Sequence, residues 1–204
     1  MTIPDDAAAI ARRHERHVET PHGRVYVTEI PGGDPPIVLM HGFPDDHRIY
    51  DKLLPRLSPR RDVAFDFAGY GRSDRNDGTH FSPEDHGAEI TAVLDALGID
   101  RAVLVGHDAS GPDAVASVRA WCAGLHDTLD QQDALASSGA LSHLHVPVSI
   151  IWGKEDRYLG PSLAAEIAAL FPSPSVHLLP GAGHYPQHDQ PDAVAELLKE
   201  PLTA

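Results

Sequence analysis

The stretch VLVGHDASGPDAV (Val103 to Val115) runs an apolar strand pattern into a turn and then a helical pattern, with Asp108 at the apex. A strand that turns sharply into a helix strains its apex residue and needs small residues two positions to either side. Gly106 and Ser110 fill those positions around Asp108. Ser110 would itself be flanked by Asp108 and Pro112, so the group presented is a carboxylate and not a hydroxyl. A carboxylate can attack an electrophilic carbon and form an ester, which splits one displacement into two easier steps. Hydrolysing that ester calls for a base near neutral pKa, the range of histidine. It also calls for a second carboxylate, which fixes the tautomer of that histidine and stabilises its cation.

The elements that would carry such groups alternate. HVET and RVYVTEI flank PHG and read as a hairpin. PIVLMHG is a continuous apolar run, as expected of a strand buried on both faces. DVAFDF, RAVLVGHD, VSIIWG and SVHLLPG read as further strands. Between them lie helical patterns. In FSPEDHGAEITAVLDALGID, Ser82 is the expected N-cap and Asp85 completes a capping-box-like pair; Ile90, Val93, Leu94 and Leu97 share a face, and Gly98 stops the helix. GPDAVASVRAWCAGL, PSLAAEIAALF and DAVAELLKE read as three more helices. This alternation predicts an α/β fold with a mainly parallel, doubly covered sheet and an N-terminal β-hairpin. Ligands of such sheets sit beyond the carboxyl ends of the strands. There the chain repeatedly places glycine-flanked polar groups: HGFPDD, DFAGYGRSD, GHDASG, GKEDRYL and GAGHYPQHDQP.

Composition narrows the partners. The 204 residues, 42% of them hydrophobic, suit a single domain over 1–204 with its own core. A net charge of −14 argues against nucleic acid and anionic membrane surfaces, which leaves a small-molecule substrate. The single cysteine, Cys122, excludes an internal disulfide and fits a reducing, cytoplasmic setting. The N-terminal segment shows no apolar run of a secretory signal, and no segment has the length of a membrane span. The 14 histidines show no paired ligand spacing, so no metal is expected.

Taken in order, HGFP (His41 to Pro44), DFAGYGRSD (Asp66 to Asp74), VGHDASG (Val105 to Gly111), IIWGKEDRYL (Ile150 to Leu159) and GAGHYPQHDQP (Gly181 to Pro191) resemble the α/β-hydrolase superfamily. More narrowly, the chain resembles the branch with an aspartate nucleophile, the epoxide hydrolases and haloalkane dehalogenases. The resemblance implies that Asp108 is the nucleophile, His184 the base and Asp156 the orienting acid, in the order nucleophile, acid, histidine. It further implies an oxyanion hole formed by the backbone N–H groups of Phe43 and Ala109, and no cofactor. Asp108 as a mere helix cap is the rival reading. Glu155 is the rival to Asp156, and the family register favours Asp156. Asp66 and Asp74 are expected to be structural. His41 and His107 are expected to be hydrogen-bonded scaffolding.

Three departures qualify the resemblance. Haloalkane dehalogenases hold the halide with a Trp after the nucleophile and an Asn in the oxyanion loop, whereas Ala109 and Phe43 offer no side-chain N–H. Epoxide hydrolases protonate the opening ring with cap tyrosines, and Tyr26, Tyr50, Tyr70, Tyr158 and Tyr185 all lie outside a cap. The family also carries a further strand and a helical cap before the acid-bearing strand. Here only about forty residues fill that interval, with a reduced cap region at about 124–146. The expectation is therefore a shortened α/β-hydrolase fold with epoxide-hydrolase-like chemistry. Dehalogenation of an activated C–halogen bond and a non-catalytic remnant are the alternatives. Loss of the strand and cap would weaken activity, and exposed strand edges would invite self-association.

Overall fold

The computed structural model describes residues 13–75, 83–107, 139–143 and 147–199. Ser82, Asp108, Ala109, Ser110, Cys122 and the helix expected after the elbow lie outside the described residues. The chain divides into two compact units, residues 1–129 and 130–204.

In the first unit, β1 (His14–Thr20) and β2 (Gly23–Ile30) form the expected antiparallel hairpin, in register from Thr20↔Gly23 to His14↔Glu29. The two-residue connection closes on Gly23, whose φ of 116° is open to glycine. β3 (Gly33–Met40) lies between β4 (Arg60–Phe65) and β5 (Val103–Gly106), parallel to both, and β2 joins β4 antiparallel. The sheet order is β1-β2-β4-β3-β5. A 3-10 turn (His47–Tyr50) and the short α1 (Leu54–Leu57) connect β3 to β4. Ile37, Val38 and Leu39 are almost wholly buried, as a central strand requires. Register aligns Met40 with both Phe65 and Gly106, so three strands end at one level. Among the described residues, β5 is an end strand of this sheet, and its Leu104 is 53% exposed.

The helix α2 (Pro83–Ala96) follows the periodicity of its sequence. Val93 is buried, and Ile90, Leu94 and Leu97 pack against a cluster of Val25, Val27, Val38, Val63, Phe65 and Phe67. Gly98 ends it with φ 62°, and the Ile99 N–H donates back to the Leu94 carbonyl at 2.9 Å. Burying a large aliphatic side chain contributes about 1.5–3 kcal/mol, so this stripe is what holds the helix to the sheet.

One core position works against stability. Asp62 pairs with Ile37 in the ladder, is 2% exposed, and has a buried Oδ1 without a hydrogen-bond partner. Burial pushes its carboxyl up to about 8, with only partial relief from Arg60. A carboxyl raised on folding holds its proton longer than in the unfolded chain. Stability is therefore greatest below the unfolded value near 3.8, and falls as pH rises toward about 8, by about 1.4 kcal/mol per pH unit at most. Asp62→Asn should remove this dependence. In thermal melts between pH 5 and pH 8, its advantage over the parent should grow with pH. A difference that stays constant across the series would count against a buried, ionising Asp62.

In the second unit, β6 (Val148–Gly153) pairs in parallel with β7 (Pro174–Leu179), from Val148↔Pro174 to Gly153↔Leu179. α3 (Ser162–Ala168) lies in the crossover. α4 (Pro186–Asp189) and α5 (Pro191–Lys199) follow β7. Val194, Ala195 and Leu198 form the buried stripe of α5. A 3-10 turn at Ala140–His143 precedes β6. Among the described residues, no helix is long and apolar enough to cross a membrane.

Candidate active site

The carboxyl ends of β6 and β7 bring two of the predicted residues together. Asp156 lies three residues beyond the end of β6, and His184 lies five beyond the end of β7. His184 Nδ1 sits 2.8 Å from Asp156 Oδ2, with both side chains at least nine-tenths buried. Asp156 Oδ1 accepts the backbone N–H groups of Tyr158 at 2.8 Å and Leu159 at 3.0 Å. Burial alone would raise this carboxyl. The bonds from Leu159, His184 and Tyr158 outweigh that and hold it below the usual aspartate range. The ion's contribution to stability is thus full above the ordinary aspartate value, and is lost as pH falls through the lowered one. An ionised Asp156 is acceptor-only. The network therefore assigns the proton of a neutral His184 ring to Nδ1 and the lone pair to Nε2.

The loops that hold this pair are locked by glycine and backbone bonds. A Cβ on Gly153 would stand 1.9 Å from the Gly183 carbonyl oxygen, so the end of β6 can pass under the His184 loop only as glycine. Gly181, at φ 78°, turns the chain out of β7. The Lys154 N–H donates to Leu179 and the Glu155 N–H to Ala182, both at 3.0 Å. Trp152 Nε1 donates to the Leu159 carbonyl at 3.0 Å and pins the acid loop from within. Asp189 Oδ2 accepts the Gly183 N–H at 2.8 Å. The rings of Tyr158 and Tyr185 meet the His184 ring edge-on, at 5.4 and 5.3 Å between centroids. The carboxylate of Glu155, the rival acid, accepts the Gly181 N–H at 2.8 Å.

In the first unit, the residues after β3, β4 and β5 share the level set by Met40, Phe65 and Gly106. Phe43 follows β3 in the HGFP loop, and the Asp45 N–H donates to the Gly42 carbonyl at 3.1 Å. His41 is buried. Its Nε2 accepts the Phe67 N–H at 3.0 Å, so Nδ1 carries the proton and donates to Gly42 at 2.7 Å. Burial lowers its pKa and keeps it neutral. It therefore ties the loop after β3 to the turn after β4, as scaffolding. The His107 N–H donates to the Met40 carbonyl at 3.1 Å and leads directly to Asp108, which lies outside the described residues with Ala109.

Asp66 is fully buried. Its Oδ1 accepts both the backbone N–H and Nδ1 of His47 at 2.7 Å, and its Oδ2 accepts the Arg72 N–H at 2.8 Å. With Asp46 and His47 it forms a cluster whose ligand atoms lie within 4.8 Å of one another. Those oxygens are already committed: Asp46 bonds Arg48, and Asp66 fixes two turns. Asp74 forms a paired contact with the Arg24 guanidinium at 3.0 Å. A buried residue that sequence reasoning did not single out is Glu89 on α2, which accepts the Ala68 N–H at 3.0 Å and meets His22 Nδ1 at 3.2 Å. It anchors the turn after β4 to the helix and the hairpin.

Family models described as alpha/beta hydrolase fold and Alpha/beta hydrolase family match residues 35–116 and 109–197. Haloalkane dehalogenase 2 of Mycobacterium tuberculosis is 37% identical over 103 residues, which is 50% of this chain and 35% of that protein. An epoxide hydrolase of Caballeronia sordidicola is 37% identical over 87 residues, 41% of this chain and 26% of that protein. The chain thus spans about a third or less of the length of these two relatives. The putative hydrolase LipZ of Mycobacterium tuberculosis is 24% identical over an alignment of 267 residues, covering 89% of this chain and 93% of LipZ. That alignment is longer than the 204 residues present here, so internal stretches of LipZ have no counterpart in this chain. Among solved structures, a bacterial membrane phospholipase A superposes with a TM-score of 0.76 at 18% identity, covering 95% of this chain and 87% of that one. This last likeness speaks to the fold alone.

Proposed function

We propose, from the premise that this chain belongs to the α/β-hydrolase superfamily, that it is a hydrolase working through an ester on Asp108, with epoxides as its substrate class. The observation that carries this reading is the buried 2.8 Å bond between Asp156 and His184, on a carboxylate already held by two backbone N–H groups. Such a pair is built to keep a neutral imidazole in one tautomer and to stabilise its cation. In the proposed route, Asp108 attacks a ring carbon and the C–O bond of the epoxide breaks. The ring oxygen takes up a proton from solvent and becomes a hydroxyl. His184 Nε2 then removes a proton from water, whose oxygen adds to the carboxyl carbon of the ester. The bond from that carbon to the substrate oxygen breaks, the departing alkoxide takes the proton from His184, and Asp108 returns as a carboxylate with its remaining proton lost to solvent. The N–H groups of Phe43 and Ala109 would hold the oxyanion, each worth about 2.7–4 kcal/mol by comparison with known cases. The route calls on no metal or organic cofactor.

The likeness to a haloalkane dehalogenase supports a second reading, displacement of halide by the same carboxylate. Phe43 and Ala109 count against it, since neither side chain can donate to a departing halide. Losing even one such donor should cost about 10²–10³-fold in rate. Assayed side by side, a terminal epoxide should be opened at least about 100-fold faster than 1,2-dibromoethane releases bromide. Comparable rates would transfer the assignment to dehalogenation, and no turnover of either would favour a non-catalytic remnant.

Strand edges bear on how much activity to expect. Among the described residues, β5 and β6 each lie at the end of a sheet, and a strand edge left unpaired is a template for another chain. We expect self-association and weak turnover relative to a longer homologue. Light scattering that gives a clean monomer, with robust epoxide hydrolysis, would overturn this expectation.

A further inference from the structure

We propose that Glu155 is a positioning residue for His184; this rests on the reading of His184 as the base. Glu155 grips the His184 loop at two points. Its backbone N–H donates to the Ala182 carbonyl at 3.0 Å, and its carboxylate accepts the Gly181 N–H at 2.8 Å. The two bonds bracket the residues that turn the chain out of β7 and deliver it to His184. The next residue, Asp156, then bonds the histidine ring itself. One short segment of the acid loop thus sets both the backbone register of the histidine loop and the tautomer of the histidine.

The packing explains why register matters here. Gly153 already stands against the Gly183 carbonyl with no room for a Cβ, so the loop cannot settle inward. Asp189 holds the Gly183 N–H at 2.8 Å on the far side of the turn. The loop is therefore pinned at Gly181, Ala182 and Gly183 in succession, immediately before His184. The carboxylates of Glu155 and Asp189 are both exposed, and that of Glu155 can be altered without emptying a core. Hydrogen bonds accepted by a charged group are stronger than neutral ones, and they hold only at good geometry. Without the carboxylate, Gly181 loses its acceptor, and the ring of His184 can drift from Asp156.

The test uses the full chain with nitrogen-15-labelled histidine and compares the parent with Glu155→Ala and Glu155→Gln. In the parent, the His184 ring should show the Nδ1–H tautomer. Glu155→Ala should give a mixture of tautomers, with exchange of the Gly181 amide proton faster by about tenfold. Glu155→Gln keeps a carbonyl acceptor and should return both signals toward the parent. The proposal is overturned if Glu155→Ala leaves tautomer and exchange unchanged, or if Glu155→Gln behaves as Glu155→Ala. It is equally overturned if both variants lose the amide dispersion of β6, β7 and α5, because Glu155 would then support the fold rather than the histidine. These signals do not depend on turnover. Absence of epoxide hydrolysis in the parent would defeat the hydrolase reading and leave this result standing.

Discussion

Replacing Asp156 with Asn is expected to lower turnover by about 10⁴-fold, the scale of the corresponding change in an aspartate-supported catalytic histidine. The geometry gives the reason. Oδ1 accepts two backbone N–H groups, from Tyr158 and Leu159, and Oδ2 faces His184 Nδ1. An amide at this position has one acceptor and one donor end. Its oxygen is claimed by the two backbone donors, which leaves the NH2 group facing His184. The ring must then accept at Nδ1 and carry its proton on Nε2, the nitrogen that has to take a proton from water. The variant should fold, because side-chain volume and the backbone bonds are kept. Steady-state rates and imidazole nitrogen signals should change together. A variant that flips the tautomer yet keeps its rate would remove His184 from the mechanism.

The second large effect concerns His184→Ala. Attack by Asp108 needs no base, whereas ester hydrolysis does, so the two steps should separate. Mixing the variant with excess epoxide should consume about one equivalent of substrate per chain and then stop, with turnover down by about 10²–10⁴-fold. Intact mass should rise by the mass of one substrate, and proteolysis should map the adduct to a peptide containing Asp108. A variant that forms no adduct and consumes nothing would mean that His184 also serves the first step. Continued turnover at the parent rate would mean that it serves neither.

Much of the fold was legible because apolar periodicity reports burial directly. VSIIWG became β6 with the bounds it was read with, and the run Ile37 to Leu39 became the buried middle of β3. The stripe on α2 and its stop at Gly98 followed from spacing and from the positive φ that glycine tolerates. What was not legible depends on partners distant in sequence. β3 begins at Gly33 and runs through Pro35 and Pro36, residues that argue locally against a strand. Asp66 and Phe67 read as part of a strand, but β4 ends at Phe65 because Asp66 turns aside to hold His47 and Arg72. Glu89 was not singled out, because its burial comes from His22 and the Ala68 N–H, both distant in sequence. At the candidate site, Asp156 and His184 could be named from motif and order. The steric demand at Gly153 and the clamp at Glu155 could not, because both arise only when the ends of β6 and β7 lie side by side.

The covalent ester proposed on Asp108 can be detected by one turnover in heavy-oxygen water. If Asp108 attacks carbon, the oxygen delivered to product comes from its own carboxylate, and water replaces that oxygen in the enzyme. With enzyme in excess over epoxide, digestion should then yield a peptide containing Asp108 that is heavier by one oxygen label, and a product free of label. Label found in the product and absent from the peptide would show that water attacks the substrate directly, and would contradict the account.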